Sequence, residues 1–238
     1  MASPKIYPST VNTGNFIVGS LTSVDIVAKE VPDDKGNVMI AAMVIVGVLF
    51  DPGTIIPPNN WQEIQQNTTS TGGMTRVAVF TKLVEEGETG TYTFTWNNAS
   101  SIGFWLFAEY GGGDTDRALD GYGAGQRNAL GVGSIAPSVT PEGCNLYNTL
   151  VCIWASDLKI GNVMSMNPPN NMTLQVQSGS LATGFPSLML CDQELTSNDP
   201  TGECLATAAF ATTSLGISFL VKQSIWAGAA PIGSSGGM

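Results

Sequence analysis

Apolar side chains recur at every second residue in several stretches of the chain, a spacing that builds half-buried strands and not helices. Thr91-Tyr92-Thr93-Phe94-Thr95-Trp96 alternates strictly, with three aromatics on one face and three threonines on the other. Around a helix those rings would be scattered. Ile102, Phe104, Leu106 and Ala108 make one face of the next strand, while Trp105 and Phe107 make a second apolar face, which predicts a central position in a sheet. Arg76 to Leu83 reads as a strand, with Glu85-Glu86-Gly87-Glu88 as its solvated turn, and Leu215, Ile217, Phe219 and Val221 alternate along a last strand. Val38 to Val48 is continuously apolar and rich in β-branched residues, as in a strand buried on both faces. Ala41-Ala42-Met43 would suit a buried helix, but the flanking Gly36 and Asp51-Pro52-Gly53 favour the strand.

This plan runs twice. Pro57-Pro58-Asn59-Asn60-Trp61 returns as Pro168-Pro169-Asn170-Asn171-Met172. Gly36, Thr89-Gly90 and Ser101-Ile102-Gly103 have counterparts in Gly143, Thr201-Gly202 and Ser214-Leu215-Gly216. The separations, 107, 111, 112 and 113 residues in chain order, drift without reversing, as in a duplicated plan with loop insertions. Each Pro-Pro pair fixes an extended entry to a turn, and Trp61 folds over one end of the core. Two sets of about four strands without a helical stretch predict an all-β fold. Specifically, they predict a jelly-roll β-sandwich of about eight core strands with a pseudo-twofold internal repeat. The expected division is an N-terminal strand or assembly segment at 1–35, a sandwich at 36–228 with halves 36–110 and 143–228, a loop-rich crossover at 111–142, and a tail at 229–238.

Composition narrows the function classes. The chain has 238 residues, 43% of them apolar and only 12% charged, which is a packed domain. Nine Lys and Arg against nineteen Asp and Glu leave a net charge of −10. Phosphate backbones and anionic membranes repel such a surface, so neither nucleic acid nor membrane insertion is expected. The N-terminal Met1-Ala2-Ser3-Pro4-Lys5 lacks the apolar core of a signal peptide, so synthesis in a cytoplasm is expected.

Candidate chemistry is sparse. The chain contains no histidine, which removes the usual general base and the commonest metal ligand, and it shows no cofactor motif. Glu109 with Asp114 is the kind of carboxylate pair that could be proposed among nineteen acidic residues, without a motif behind it. Asp114, Asp116 and Asp120-Gly121 resemble a calcium loop but depart from its spacing, and surface Asp in a Gly-rich loop is the commoner explanation. Trp61, Trp105, Tyr110 and Tyr122 are the aromatics that could stack on sugar rings; Trp105 suits a core, and Tyr110 and Tyr122, which flank the crossover, are the better candidates, with Asp114 and Asp116 beside them. Cys191 and Cys204 lie symmetrically about Ser197-Asn198, so a hairpin register would place them opposite each other for a disulfide. Buried free thiols are the alternative. A shift of 112 puts Val79 and Tyr92 at the matching sites of the first copy.

The apolar strand Val38-Met39-Ile40-Ala41, the Pro57-Pro58-Asn59-Asn60-Trp61 turn, Val79-Phe80-Thr81-Lys82, Thr91-Tyr92-Thr93-Phe94 and Ala108-Glu109-Tyr110-Gly111 resemble a jelly-roll module of tailed-bacteriophage virion proteins. That module recurs in tail fibres, receptor-binding tips and head decorations. The resemblance covers residues 36 to 228 and is weaker in the second half, where Met172 stands for the Trp. Asn60 replaces the Gly of the module's Pro-Pro-x-Gly-Trp turn. The resemblance implies a non-enzymatic virion structural protein, a capsid decoration, collar or tail-fibre component acting by assembly and surface binding. It would be a homo-oligomer, with a trimer favoured, in contact with other virion proteins and in some settings with a host-surface glycan. A carbohydrate-binding, lectin-like module or receptor-binding adhesin is the alternative, and a hydrolase a third.

Overall fold

In the computed structural model the chain is described at residues 5–6, 11–28, 36–69, 73–112, 117–142, 148–157, 165–178 and 186–222. The first half runs through β1 (Lys5–Ile6), β2 (Asn12–Val27), β3 (Val38–Gly47), β4 (Ile55–Ile56), β5 (Gln62–Thr68), β6 (Thr75–Leu83) and β7 (Thr91–Gly111). The second runs through β8 (Leu119–Tyr122), β9 (Gln126–Ala136), β10 (Thr149–Ser156), β11 (Met166–Asn167), β12 (Thr173–Ser178), β13 (Ser187–Glu194) and β14 (Cys204–Val221). No helix occurs among the described residues. Each half forms one seven-stranded antiparallel sheet, and the two sheets pack face to face as a β-sandwich.

The sheets are copies strand for strand. The first has the path β1–β7–β3–β6–β5, with β2 and β4 also on β7; the second repeats it with β8, β14, β10, β13, β12, β9 and β11. Val38 opposes Leu83 and Tyr110, and 111 residues later Thr149 opposes Glu194 and Val221. The β-bulge between Glu63 and Gln65 recurs between Leu174 and Val176 at the same shift. The segment expected to be a loop-rich crossover contains two strands, β8 and β9, which occupy the places that β1 and β2 hold in the first sheet. Residues 12–27, assigned to an N-terminal segment, are likewise part of the first sheet.

Every residue of β3 and β10 is buried. The even residues of β3, Val38, Ile40, Ala42 and Val44, enter the core between the sheets with Val151, Ile153, Leu190, Ile217 and Phe219 of the second half. The odd ones, Met39, Ala41, Met43 and Ile45, enter a separate core on the outer face. That outer face is covered by the first half's own chain. Tyr92 stacks on Phe107 of the same strand with ring centroids 5.9 Å apart, whereas fifteen extended residues would span roughly 50 Å. β7 therefore doubles back. The fold lies in the low-propensity run Asn97-Asn98-Ala99-Ser100-Ser101, where the pairing with β2 slips register. Just beyond it the Phe16 ring lies across Gly103, 2.2 Å from where a Cβ would stand, so no other residue fits without moving the ring.

Because β7 begins in the covering layer, β6 and β7 are not a hydrogen-bonded hairpin. β3 lies between them, and residues 84–90 arch from one layer to the other. The same holds for β13 and β14, with β10 between.

A polar contact crosses the central core. The fully buried Tyr110 of β7 donates its hydroxyl to Asp192 Oδ2 of β13 at 3.1 Å, and Gln175 Nε2 donates to the other oxygen at 2.8 Å. Burial raises the Asp192 carboxyl above its ordinary range against the lowering effect of these two donors. A carboxyl raised in the folded state contributes stability below its ordinary value and loses it as pH rises through the folded one. Asp192→Asn, which retains an acceptor for Tyr110, is therefore expected to stabilise the protein relative to wild type at about pH 8 and progressively less towards about pH 4. Chemical denaturation of both proteins across that range is the measurement, and a gain that grew in acid would contradict the assignment.

Candidate functional site

A cleft with a volume of about 540 Å³ opens where the β5–β6 edge of the first sheet meets β8 of the second. That volume is in the range of small-ligand sites, roughly 300–1,000 Å³. One wall begins at the Pro57-Pro58-Asn59-Asn60 turn. Pro58 O accepts from Trp61 N, and Trp61 turns inward onto Tyr92 and Phe94, with edge-on ring contacts at 5.1 and 5.6 Å. Asn60 holds φ at 67°, the left-handed conformation that a Gly would take there and that Asn adopts more readily than other non-glycine residues. Its Nδ2 donates to Glu85 Oε2 at 3.2 Å across the mouth. In the second copy Pro169 O accepts from Met172 N in the same way, so Pro168 and Pro169 form the matching turn.

The other wall is the chain that carries Arg117 to Tyr122. A register slip between Leu220 and Val221 lets β8 bulge, so that Asp120 turns inward to accept Asn148 Nδ2 at 2.6 Å while Tyr122 stays outside, 61% exposed. Glu142 N donates to Asp120 O at 2.8 Å, and the Arg117–Glu142 ion pair ties this wall to the chain after β9. Ile64, Leu83 and Leu119 supply the apolar lining; Asn60, Gln62, Glu63 and Glu85 are exposed at the rim. Lys82 lies largely covered and pairs with Glu88 at 2.7 Å.

Of the residues marked out from sequence, Tyr122 is on this cleft. Tyr110 is not a ligand-stacking residue: it has no exposed surface, because the alternation of β7 turns it into the central core against Asp192. Asp114 and Asp116 lie outside the described residues. Glu109 is buried and accepts a 2.7 Å hydrogen bond from Asn37, which removes it from any surface carboxylate pair. Trp61 and Trp105 are both core residues. Among the described residues no cluster of three or more potential ligands is placed to hold a metal. The cleft residues that sequence reasoning passed over, Gln62, Glu63 and Lys82, are marked by the duplication itself. Their counterparts at the 111-residue shift are Thr173, Leu174 and Gln193, so the backbone is shared but the chemistry is not.

Cys152, Cys191 and Cys204 are buried free thiols. The hairpin register that would have bridged Cys191 to Cys204 does not exist, since β10 separates their strands and Cys191 faces Cys152 across β10 and β13. The first-copy counterpart of Cys191 is Phe80 rather than Val79; that of Cys204 is Tyr92. The thiols thus stand where the first half packs aromatic rings. Burial pushes the Cys191 thiol up to about 12 and the Cys152 thiol well above its ordinary value, while the hydrogen bond from Cys152 holds Cys204 below its own.

Comparison with protein-family models, with curated proteins and with solved structures found no match to this chain.

Asn60→Gly is expected to leave stability within about 0.5 kcal/mol of wild type, and Asn60→Ala to cost about 1 kcal/mol, since Ala carries the Cβ penalty of the left-handed conformation without the hydrogen bond to Glu85. Equilibrium denaturation decides between these values. Separately, a disulfide-exchange reagent at neutral pH should leave Cys152 and Cys191 unreacted in the native protein and titrate four thiols in denaturant without reductant.

Proposed function

We propose that this chain is a non-enzymatic bacteriophage virion structural protein, a capsid decoration, collar or tail-fibre component that acts by assembly and surface binding. The observation that carries the reading is the position of its exposed apolar side chains. Of the twelve large hydrophobic residues exposed among those described, Val48, Leu49, Phe50, Met74, Leu130, Val132 and Phe210 flank one end of the sandwich. Hydrogen bonds link the segments that bear them. Gly47 N donates to Met74 O, Thr75 Oγ1 to Asp157 Oδ1, and Thr212 Oγ1 to Asp157 O. Leu49 and Phe50 are each 73% exposed on a loop held by Asp51, whose carboxylate takes the Arg76 guanidinium and Gly53 N and is lowered by them. An apolar end of this kind is suited to docking against copies of itself, because contact there removes exposed apolar surface from water.

A second reading, a carbohydrate-binding module or receptor-binding adhesin, is supported by the exposed Tyr122 on the cleft. It is compatible with the first, since a virion tip both assembles and binds.

Multi-angle light scattering of the purified protein is expected to give a closed oligomer, with a trimer favoured. Leu49→Asp with Phe50→Asp should reduce it to monomers without lowering its melting temperature, both side chains being largely solvated already. Peptides of the chain should also appear in mass spectra of purified particles. A wild-type chain that stays monomeric at high concentration, or that is absent from particles, would overturn the reading.

A further inference from the structure

We propose that the cleft between β5–β6 and β8 binds a neutral oligosaccharide, with Tyr122 as the stacking platform and Gln62 as a hydrogen-bonding partner for ring hydroxyls. The inference rests on the binding role proposed above and names its ligand class.

Charge excludes the obvious alternative. Both cations of the cleft are already paired, Lys82 with Glu88 and more loosely with Glu85 at 3.9 Å, and Arg117 with Glu142, and the Glu63 and Glu85 side chains are exposed at the rim. An anionic ligand would face two carboxylates and find each cation neutralised by a partner. A neutral polyol faces the reverse situation. Side-chain carboxylates and amides are planar, and each presents two polar atoms in the spacing that vicinal hydroxyls can bridge. Gln62, with the Glu63 and Glu85 oxygens not taken by Gln66 and Asn60, supplies such groups around the apolar surface of Ile64, Leu83 and Leu119. The flat apolar face of a pyranose needs an exposed ring to cover it, and Tyr122 is the exposed one among the described tyrosines, at 61% against 5% for Tyr92 and 0% for Tyr110.

The fold does not require this chemistry. Where the second copy repeats the same strands, Gln62, Glu63, Lys82 and Glu85 are replaced by Thr173, Leu174, Gln193 and Thr196. Leu174 is exposed, so the second sheet edge keeps the backbone and drops the carboxylate. Asn171 and Gln193 keep amides at the second edge, so what belongs to the first edge alone is the Gln62-Glu63 pair with Glu85, which the shared backbone does not require.

The test is a glycan array carrying neutral, sialylated and phosphorylated oligosaccharides, followed by calorimetry on the best neutral binder. Wild-type protein is expected to bind a neutral subset. Tyr122→Ala and Gln62→Ala should each weaken binding at least about tenfold, and Tyr122→Phe should retain it, with melting temperatures unchanged because both residues are exposed. Absence of any neutral binder at millimolar concentration, preference for the anionic glycans, or affinity indifferent to Tyr122→Ala and Gln62→Ala would overturn the proposal. Binding to a protein receptor without any glycan would also overturn it while leaving the adhesin reading intact. Self-association is scored separately by scattering, so either result stands without the other.

Discussion

The doubling back of β7 and β14 governs the rest of the molecule. A sheet in a two-layer sandwich has one wet face, and its strands alternate apolar with polar residues. Here each half lays the first part of its longest strand over its own sheet, so the central strands face apolar material on both sides. That is why β3 and β10 are buried throughout and why the described residues form three cores, one between the sheets and one outside each. A break in the bend would expose the odd-numbered face of β3, including Met39, Met43 and Ile45, at a cost of about 1.5–3 kcal/mol for each large side chain.

Duplication kept that geometry and changed how the outer cores are filled. In the first copy rings do most of the filling: Trp61, Phe80, Tyr92 and Phe94. Their counterparts are Met172, Cys191, Cys204 and Ala206, all smaller. The lost volume returns from the facing strands, where Met43 becomes Trp154, Ala78 becomes Met189 and Ala41 becomes Cys152. Interiors are close-packed, so a core that loses four large groups must gain others or leave cavities. The cysteines are best understood within this exchange, as small apolar fillers beside a newly introduced tryptophan.

Period-two patterning made the strands legible wherever one face met a core and the other met water or a second core, as in Thr91–Trp96 and Ile102–Ala108. The repeat was legible because Pro-Pro-Asn-Asn and the Thr-Gly turns are fixed by backbone geometry and not by packing. β9 was hidden for the opposite reason. Its Leu130-Gly131-Val132-Gly133 run carries exposed apolar residues between glycines, so it has no face to betray it. The hairpin expected between Cys191 and Cys204 failed because adjacency in sequence says nothing about which layer the next strand joins. Tyr110 shows the same limit. Its position at the end of an aromatic strand fits either a rim or a core, and only its partner Asp192, 82 residues away, decides. Tyr122 was legible as a surface aromatic, but the cleft around it was not, since its two walls come from different halves of the chain.

The two ends of the sandwich differ in kind, and the difference follows from which turns sit there. β6 begins beside Met74 at the apolar end and finishes at Leu83 in the cleft, about 30 Å along the strand. At the first end Asp51 holds Arg76 and Asp157 holds Thr213, beside the exposed apolar side chains. At the second, the arch over residues 84–90 and the chain leading into β8 bring carboxylates, amides and a tyrosine together around an apolar lining. Water solvates the second surface well and the first poorly, so a chain in solution lowers its free energy by covering the first end and leaving the second open. In the assembly proposed above, contact through the apolar end would leave the cleft at the other end of β6 uncovered, and each added copy would add one cleft. Weak individual contacts in such an array add through effective concentration, provided the clefts stand no farther apart than the sites they engage.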